Sequence, residues 1–130
     1  MMGDMEHASP RLILLAEDDK STAFLIEHKM QLAGYEISIA KDGEEALTAL
    51  QRKVPDLLLL DIDMPKKNGL EVLQAMKKDA ALEKVPVVVI SNSGSPIEVY
   101  NFQKLGVKDY FIKAELDPEE LLQTVRKYLE

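Results

Sequence analysis

Two stretches of this chain, Leu57–Leu60 and Val85–Ile90, contain no side chain that prefers water. A strand with one wet face alternates apolar and polar residues; a strand apolar at every position is covered on both faces. Three further short runs, Leu12–Ala16, Glu36–Ala40 and Tyr110–Ile112, complete a set of five, and each run is followed by a segment of helical spacing. Ala23, Ile26, Met30 and Ala33 recur at the intervals of one helix face, and Gly34 then offers a C-terminal cap. Ala46, Leu47 and Leu50 repeat the pattern after Gly43, and Val72, Leu73 and Met76 repeat it after Gly69. The last helix opens at Asp117 as the cap, with Pro118 in its first position and Glu119 and Glu120 in its first turn. A fourth helix, about Pro96–Leu105, has the poorest periodicity, with Ile97, Tyr100 and Phe102 scattered round it.

Strands alternating with helices through short loops dictate a parallel sheet with right-handed crossovers. Five such units suit an open, doubly wound five-stranded α/β sheet, a (βα)5 arrangement with the flavodoxin-like order 2-1-3-4-5. A chain of 130 residues holds one domain of this kind, spanning 10–130, while the polar, aperiodic residues 1–9 are expected to be disordered.

Composition removes several classes of function. No cysteine is present, which excludes disulfides, thiolate catalysis and cysteine-ligated zinc. A net charge of −7 argues against direct nucleic-acid binding, which needs a basic face. No apolar run approaches the roughly 20 residues of a membrane span, and the acidic N-terminus lacks the apolar region of a signal peptide. A cytoplasmic protein without membrane contact is the resulting expectation.

Ligands of doubly wound sheets bind beyond the carboxyl ends of the strands, where the strand order reverses, here between strands 1 and 3. Glu17-Asp18-Asp19 follows strand 1 and Asp61-Ile62-Asp63-Met64-Pro65 follows strand 3, so two acidic clusters meet at that point. Strand 4 ends in Ser91-Asn92-Ser93 and strand 5 in Lys113. Two bare carboxylates ~4 Å apart repel by on the order of 4 kcal/mol at an effective dielectric of 20. An oxygen-rich pocket of this type is what Mg²⁺ favours. A metal opposite a lone lysine leaves room for an anion, and a phosphoryl group fits, because its transfer needs positioning and charge neutralisation. An aspartate can accept it as an acyl phosphate.

At these residues the sequence resembles a known family. "AEDD" after strand 1, "LLLLDIDMPKKNG" around Asp61, a hydroxyl after "VVVI" and "DYFIK" before the last helix are similar to the receiver domain of bacterial-type response regulators, from about Arg11 to Leu129. The resemblance implies a phosphoacceptor signalling domain of a two-component phosphorelay. Asp61 would be phosphorylated by a histidine kinase or a histidine phosphotransfer protein, without steady turnover of an external substrate. Mg²⁺ would be bound directly by Asp19 and Asp61, through water by Asp18, and by the backbone carbonyl of Asp63. Lys113 would pair with the phosphoryl oxygens, Ser91 would hydrogen-bond to them, and Tyr110 would stand where the family has its aromatic switch residue. Phosphorylation of Asp61 is further expected to change the face formed by helix 4, strand 5 and helix 5, because the weak periodicity of helix 4 indicates loose packing, and a downstream protein or a second copy would dock there. Three positions depart from the family pattern. Ala114 stands where proline usually follows the lysine, Asn92 where the residue is usually small, and Asp63 adds a carboxylate beside the site.

Blander readings exist for each residue. Adjacent Asp18-Asp19 alone would simply cap the first helix; Asp61 across the crevice turns the reading to metal. Ser91 alone could satisfy a backbone group, and Tyr110 could be ordinary core. His7 and His28 have no second ligand at metal spacing, and Lys77-Lys78 reads as a solvated helix end. "DIDMP" also resembles the opening motif of Mg²⁺-dependent haloacid-dehalogenase-type phosphatases, with Asp61 as nucleophile. That motif, however, follows the first strand in those enzymes, and here the paired acids precede it. A flavin electron carrier would need glycine- and hydroxyl-rich turns and flanking aromatics; the first turn here is acidic and the chain has no Trp.

Overall fold

A computed structural model describes residues 10–130, so the expectation of disorder over 1–9 lies outside the described residues. The elements in order are β1 (Leu12–Ala16), α1 (Lys20–Leu32), β2 (Glu36–Ala40), α2 (Gly43–Arg52), β3 (Leu57–Asp61), α3 (Gly69–Lys77), β4 (Val87–Ser91), α4 (Pro96–Lys104), β5 (Asp109–Ile112) and α5 (Pro118–Leu129). A single 3₁₀ turn, Lys113–Glu115, joins β5 to α5. The strands form one parallel sheet in the order β2-β1-β3-β4-β5, the doubly wound arrangement expected from the sequence.

Period-two alternation within each buried strand divides the core in two. Leu58, Leu60, Val87 and Val89 face Ala46 and Leu50 of α2, Val72, Leu73 and Met76 of α3, and Phe102 of α4. Leu57, Leu59, Val88 and Ile90 face the other way, toward Ala23, Ile26 and Met30 of α1 and Leu121, Leu122 and Val125 of α5. All four leucines of β3 are 0 % exposed, and each such burial contributes roughly 2 kcal/mol. β4 starts two residues later than the apolar run suggests. Pro86 has no N–H for the ladder, and the Val85 N–H turns back to the Leu82 carbonyl at 3.1 Å.

Helix starts are fixed by side-chain caps at Asp19, Asp42, Asn68 and Asp117, and Asn68 forms a reciprocal capping box with Glu71. Gly34 closes α1 at φ +95°, a conformation open to glycine at little cost. The exception is α4. Ser95 makes no side-chain cap bond, and Phe102 is its one buried residue.

Register decides which side chains meet at the carboxyl ends. Ala16 pairs with Leu60, Asp61 with Ile90, and Ser91 with Ile112. Glu17, Asp61, Ser91 and Lys113 therefore fall in one row along the same rim of the sheet.

Candidate functional site

Asp61 closes β3 with its side chain 0 % exposed. One carboxylate oxygen, Oδ1, accepts the Asp63 backbone N–H at 2.9 Å, and the other, Oδ2, lies 3.3 Å from Lys113 Nζ. The same ammonium donates to Glu17 Oε2 at 2.8 Å, and Glu17 is equally buried. One lysine thus serves two buried carboxylates. Burial, first, and the neighbouring Glu17 carboxylate push the Asp61 carboxyl up to about 7, against the opposing pull of the Asp63 N–H and of Lys113. Burial also works against the Lys113 charge. Its hydrogen bond to Glu17 and the two negative neighbours outweigh that, holding the ammonium above its ordinary range.

The residues expected to bind metal divide differently from the sequence reading. Glu17, Asp18 and Asp61 each present a carboxylate oxygen within 4.8 Å of the others. Asp19 does not join them, and its expected place as a direct ligand is corrected here. Its Oδ2 accepts the Thr22 N–H at 3.1 Å and the Thr22 hydroxyl, which hold its carboxyl below the usual range and commit it to capping α1. The reason is geometric. Asp19 is the residue from which α1 starts, and its side chain folds over the first turn instead of toward β3. Glu17, one residue past β1, takes the inward place, with Oε2 also accepting the Asp19 N–H at 3.0 Å. The sequence already set Glu17 in the acidic cluster. Counting the register outward from Asp61 is the signal that would have singled it out.

Glu17 Oε1 is buried and has no hydrogen-bond partner. An orphaned carboxylate oxygen beside two more carboxylates is a donor set that suits a hard divalent cation, since such an ion takes oxygen ligands and removes the repulsion between them.

Ser91 is fully buried at the end of β4, and its Oγ accepts the Ser93 N–H at 3.1 Å. Tyr110 lies farther off. Its hydroxyl sits 2.7 Å from the Ser93 carbonyl oxygen and 3.2 Å from Glu98 Oε1, and its ring packs at a tilt against Phe102, 6.0 Å between centroids. Burial, first, and then the Glu98 carboxylate raise its hydroxyl above the ordinary tyrosine range. The Asp63 carboxylate bridges to the loop after β4, with Oδ2 accepting the Asn92 N–H at 3.1 Å. After Lys113 the backbone enters the 3₁₀ turn with Ala114 at its centre, and among the described residues no peptide bond is cis.

An open parallel sheet whose carboxyl rim gathers a buried carboxylate, an acidic pair, a hydroxyl and one shared ammonium is the arrangement of a phosphoacceptor signalling domain. Comparison with known proteins gives the family: residues 13–126 match the model of the response regulator receiver domain, and the chain belongs to that family. It is 36% identical over 117 residues to the transcriptional regulatory protein CpxR of Escherichia coli strain K12, covering 90% of this chain and 48% of the relative. Among solved structures it is similar to the chemotaxis response regulator CheY4 of Vibrio cholerae, at 28% identity and a TM-score of 0.85, covering 93% of this chain and 100% of that one. It is also similar to the Mn²⁺-bound form of the response regulator Rcp1, at 32% identity and a TM-score of 0.77, covering 91% of each chain. The chain spans about half the length of the curated relatives it matches.

The domain is therefore a receiver of a two-component system and not a metabolic enzyme. The phosphatase alternative has no support in the comparisons, and the second aspartate of its motif, Asp63, is bonded through its carboxylate to the Asn92 N–H. Among the described residues no helix is long and apolar enough to cross a membrane.

Proposed function

We propose that Asp61 accepts a phosphoryl group from a histidine kinase or histidine phosphotransfer protein in a Mg²⁺-dependent reaction, with Glu17, Asp18, Asp61 and the backbone carbonyl of Asp63 as the metal's ligands. The observation that carries this reading is the buried Asp61 carboxylate, bonded to the Asp63 N–H and shared with Glu17 through Lys113. An oxygen of Asp61 attacks phosphorus, the bond from phosphorus to the donor nitrogen or oxygen breaks, and the departing group takes a proton from solvent. A bound Mg²⁺ supplies the positive charge that the carboxylates and the transferred phosphoryl oxygens require. Lys113, already placed 3.3 Å from the acceptor, moves its hydrogen bonds to the new oxygens, and the Ser91 hydroxyl donates to another. The Asp63 N–H holds Asp61 in one orientation for attack. Hydrolysis of the acyl phosphate by water at the same site returns the chain to rest, which makes the domain the catalyst of its own phosphorylation and dephosphorylation. The setting for this exchange is the cytoplasm.

The output surface is the face of α4, β5 and α5, where a downstream protein or a second copy docks. Tyr100 is 58 % exposed there, and α4 rests on one buried side chain, which gives it the low local stability a switch needs.

Intact-mass measurement after incubation with acetyl phosphate and Mg²⁺ tests the assignment. One labile phosphoryl group is expected on the wild type and none on Asp61→Asn. Equal labelling of the two proteins would remove Asp61 as the acceptor.

A further inference from the structure

β2 is one edge of the sheet, and among the described residues no strand lies on its outer side. Its ladder to β1 uses the Glu36 N–H, bonded to the Arg11 carbonyl at 3.0 Å, and the Ala40 carbonyl, which accepts the Glu17 N–H at 2.9 Å. Bonding direction alternates along a parallel strand. Glu36, Ser38 and Ala40 therefore bond inward, while Ile37 and Ile39 direct N–H and C=O alike out of the sheet. Sheet edges are usually blunted by a proline, a bulge, a lysine or a covering element. β2 pairs with β1 residue for residue without a bulge, and it contains neither proline nor lysine. Ile39 is 37 % exposed and shares a shallow hollow with Phe24 of α1, itself 68 % exposed. On the strand's other face a hollow of about 570 Å³ separates Glu36 and Ser38 from Thr48 and Arg52 of α2. It exists because β2 carries polar side chains on the face where β1 and β3 carry leucine.

We propose that this edge receives a second copy of the chain, its β2 laid antiparallel to the first about a two-fold axis through Ser38. In that register Ile37 of each copy lies opposite Ile39 of the other. The two exchange both N–H···O=C bonds, because these are the residues whose backbone groups point outward. Charge complementarity selects this occupant. The larger hollow is acidic at one end and basic at the other. Glu44 in the first turn of α2 and Arg52 in its last make no ion pair among the described residues, and Thr48 stands midway between them. Their neighbours are already matched within the chain, Asp42 with Lys66, Glu36 with Lys53, and Glu45 with the Lys41 N–H. A two-fold axis through the middle of β2 sets the acidic end of one hollow beside the basic end of the other, so Glu44 of each copy is brought toward Arg52 of its mate. One surface patch thus completes itself, which is what a closed dimer requires. The face of α4, β5 and α5 is left free, and nothing in the contact depends on the role of Asp61.

Sedimentation of the full chain over a concentration series reaching the millimolar range reads the association, and amide chemical shifts of the ¹⁵N-labelled protein locate it. A monomer–dimer equilibrium is expected, with the concentration-dependent shifts at Ile37 and Ile39. Ile39→Pro deletes an outward N–H and leaves the ladder to β1 whole; it should weaken dimerisation at least about tenfold. Ile39→Lys keeps the backbone donor, places a charge on the edge and should weaken the dimer likewise, so a fold defect peculiar to proline does not decide the outcome. Unperturbed amides of Leu59 and Val89 report an intact sheet in each variant. Arg52→Glu should also weaken the dimer, and adding Glu44→Arg to the same chain should restore it, a rescue that a purely structural role of either residue would not produce. A chain that stays monomeric throughout the series overturns the proposal, as does a dimer indifferent to both Ile39 variants. A dimer broken by Tyr100→Ala but not by Ile39→Lys would put the second copy on the face of α4, β5 and α5 and overturn it as well. Loss of the dimer in the Ile39 variants without rescue by the charge swap overturns the register centred on Ser38.

Discussion

Removing the Asp61 charge should change the pH dependence of folding in the metal-free chain. The Asp61 carboxyl is pushed from an ordinary 3.8 up to about 7 by burial and by Glu17. Between those values the folded state keeps a proton that the unfolded state has lost. The contribution to stability is therefore complete below pH 3.8, declines as pH rises, and is gone above about pH 7. Each unit of difference corresponds to about 1.4 kcal/mol, so on the order of 4 kcal/mol is at stake for the carboxylate pair, and about 2–3 kcal/mol of it between pH 5 and 7.5. Urea unfolding in the presence of a chelator, repeated across that range, measures it. Wild-type stability should fall by that amount relative to Asp61→Asn, whose neutral amide has no charge to desolvate, and at pH 8 the variant should be the more stable protein. Parallel curves for the two proteins would show that burial and Glu17 do not perturb Asp61, and the electrostatic account of the site would fail.

Mg²⁺ at about a hundredfold excess over its dissociation constant should stabilise the wild type by ~2.7 kcal/mol in the same assay. Asp18→Asn should lose that gain, whereas Asp19→Ala should keep it while losing about 1 kcal/mol with the α1 cap; a Mg²⁺ response that vanishes in Asp19→Ala would return Asp19 to the ligand set. Gly69→Ala should destabilise by roughly 1–3 kcal/mol and slow phosphoryl acceptance, because a Cβ there would lie 2.5 Å from Ile62 Cδ1 and 2.8 Å from Ile62 Cα, next to Asp61. Wild-type acceptance rates measured by mass in that variant would contradict the second part.

The fold was legible because its information is local. An aliphatic run at every position of β3 and β4 states that both faces are covered, and Asp117-Pro118 states where α5 starts. The outline of the site was legible for the same reason, since Asp61 and Ser91 each close a strand and Lys113 directly follows one. What three consecutive acids cannot state is which way each one points. That depends on where the strand stops and the helix begins, and it gave Asp19 to the cap and Glu17 to the interior. The contacts of Tyr110 with Glu98 and of Asp63 with Asn92 span 12 and 29 residues. The first joins a strand to a helix and the second joins two loops, and no periodicity within a single element states either.

Lys113 stands 96 residues after Glu17 and 52 after Asp61. A chain made from its N-terminus therefore carries both acids long before their shared ammonium has been synthesised. Four strands can already pair at that stage, yet the rim where β1 and β3 meet still holds two acids facing each other without a cation. Only protons or a metal ion can quiet them. The last strand closes an edge of the sheet and, in the same event, ends this repulsion. A chain that lacks β5 and Lys113 should consequently be loosest at the rim where Glu17 and Asp61 meet.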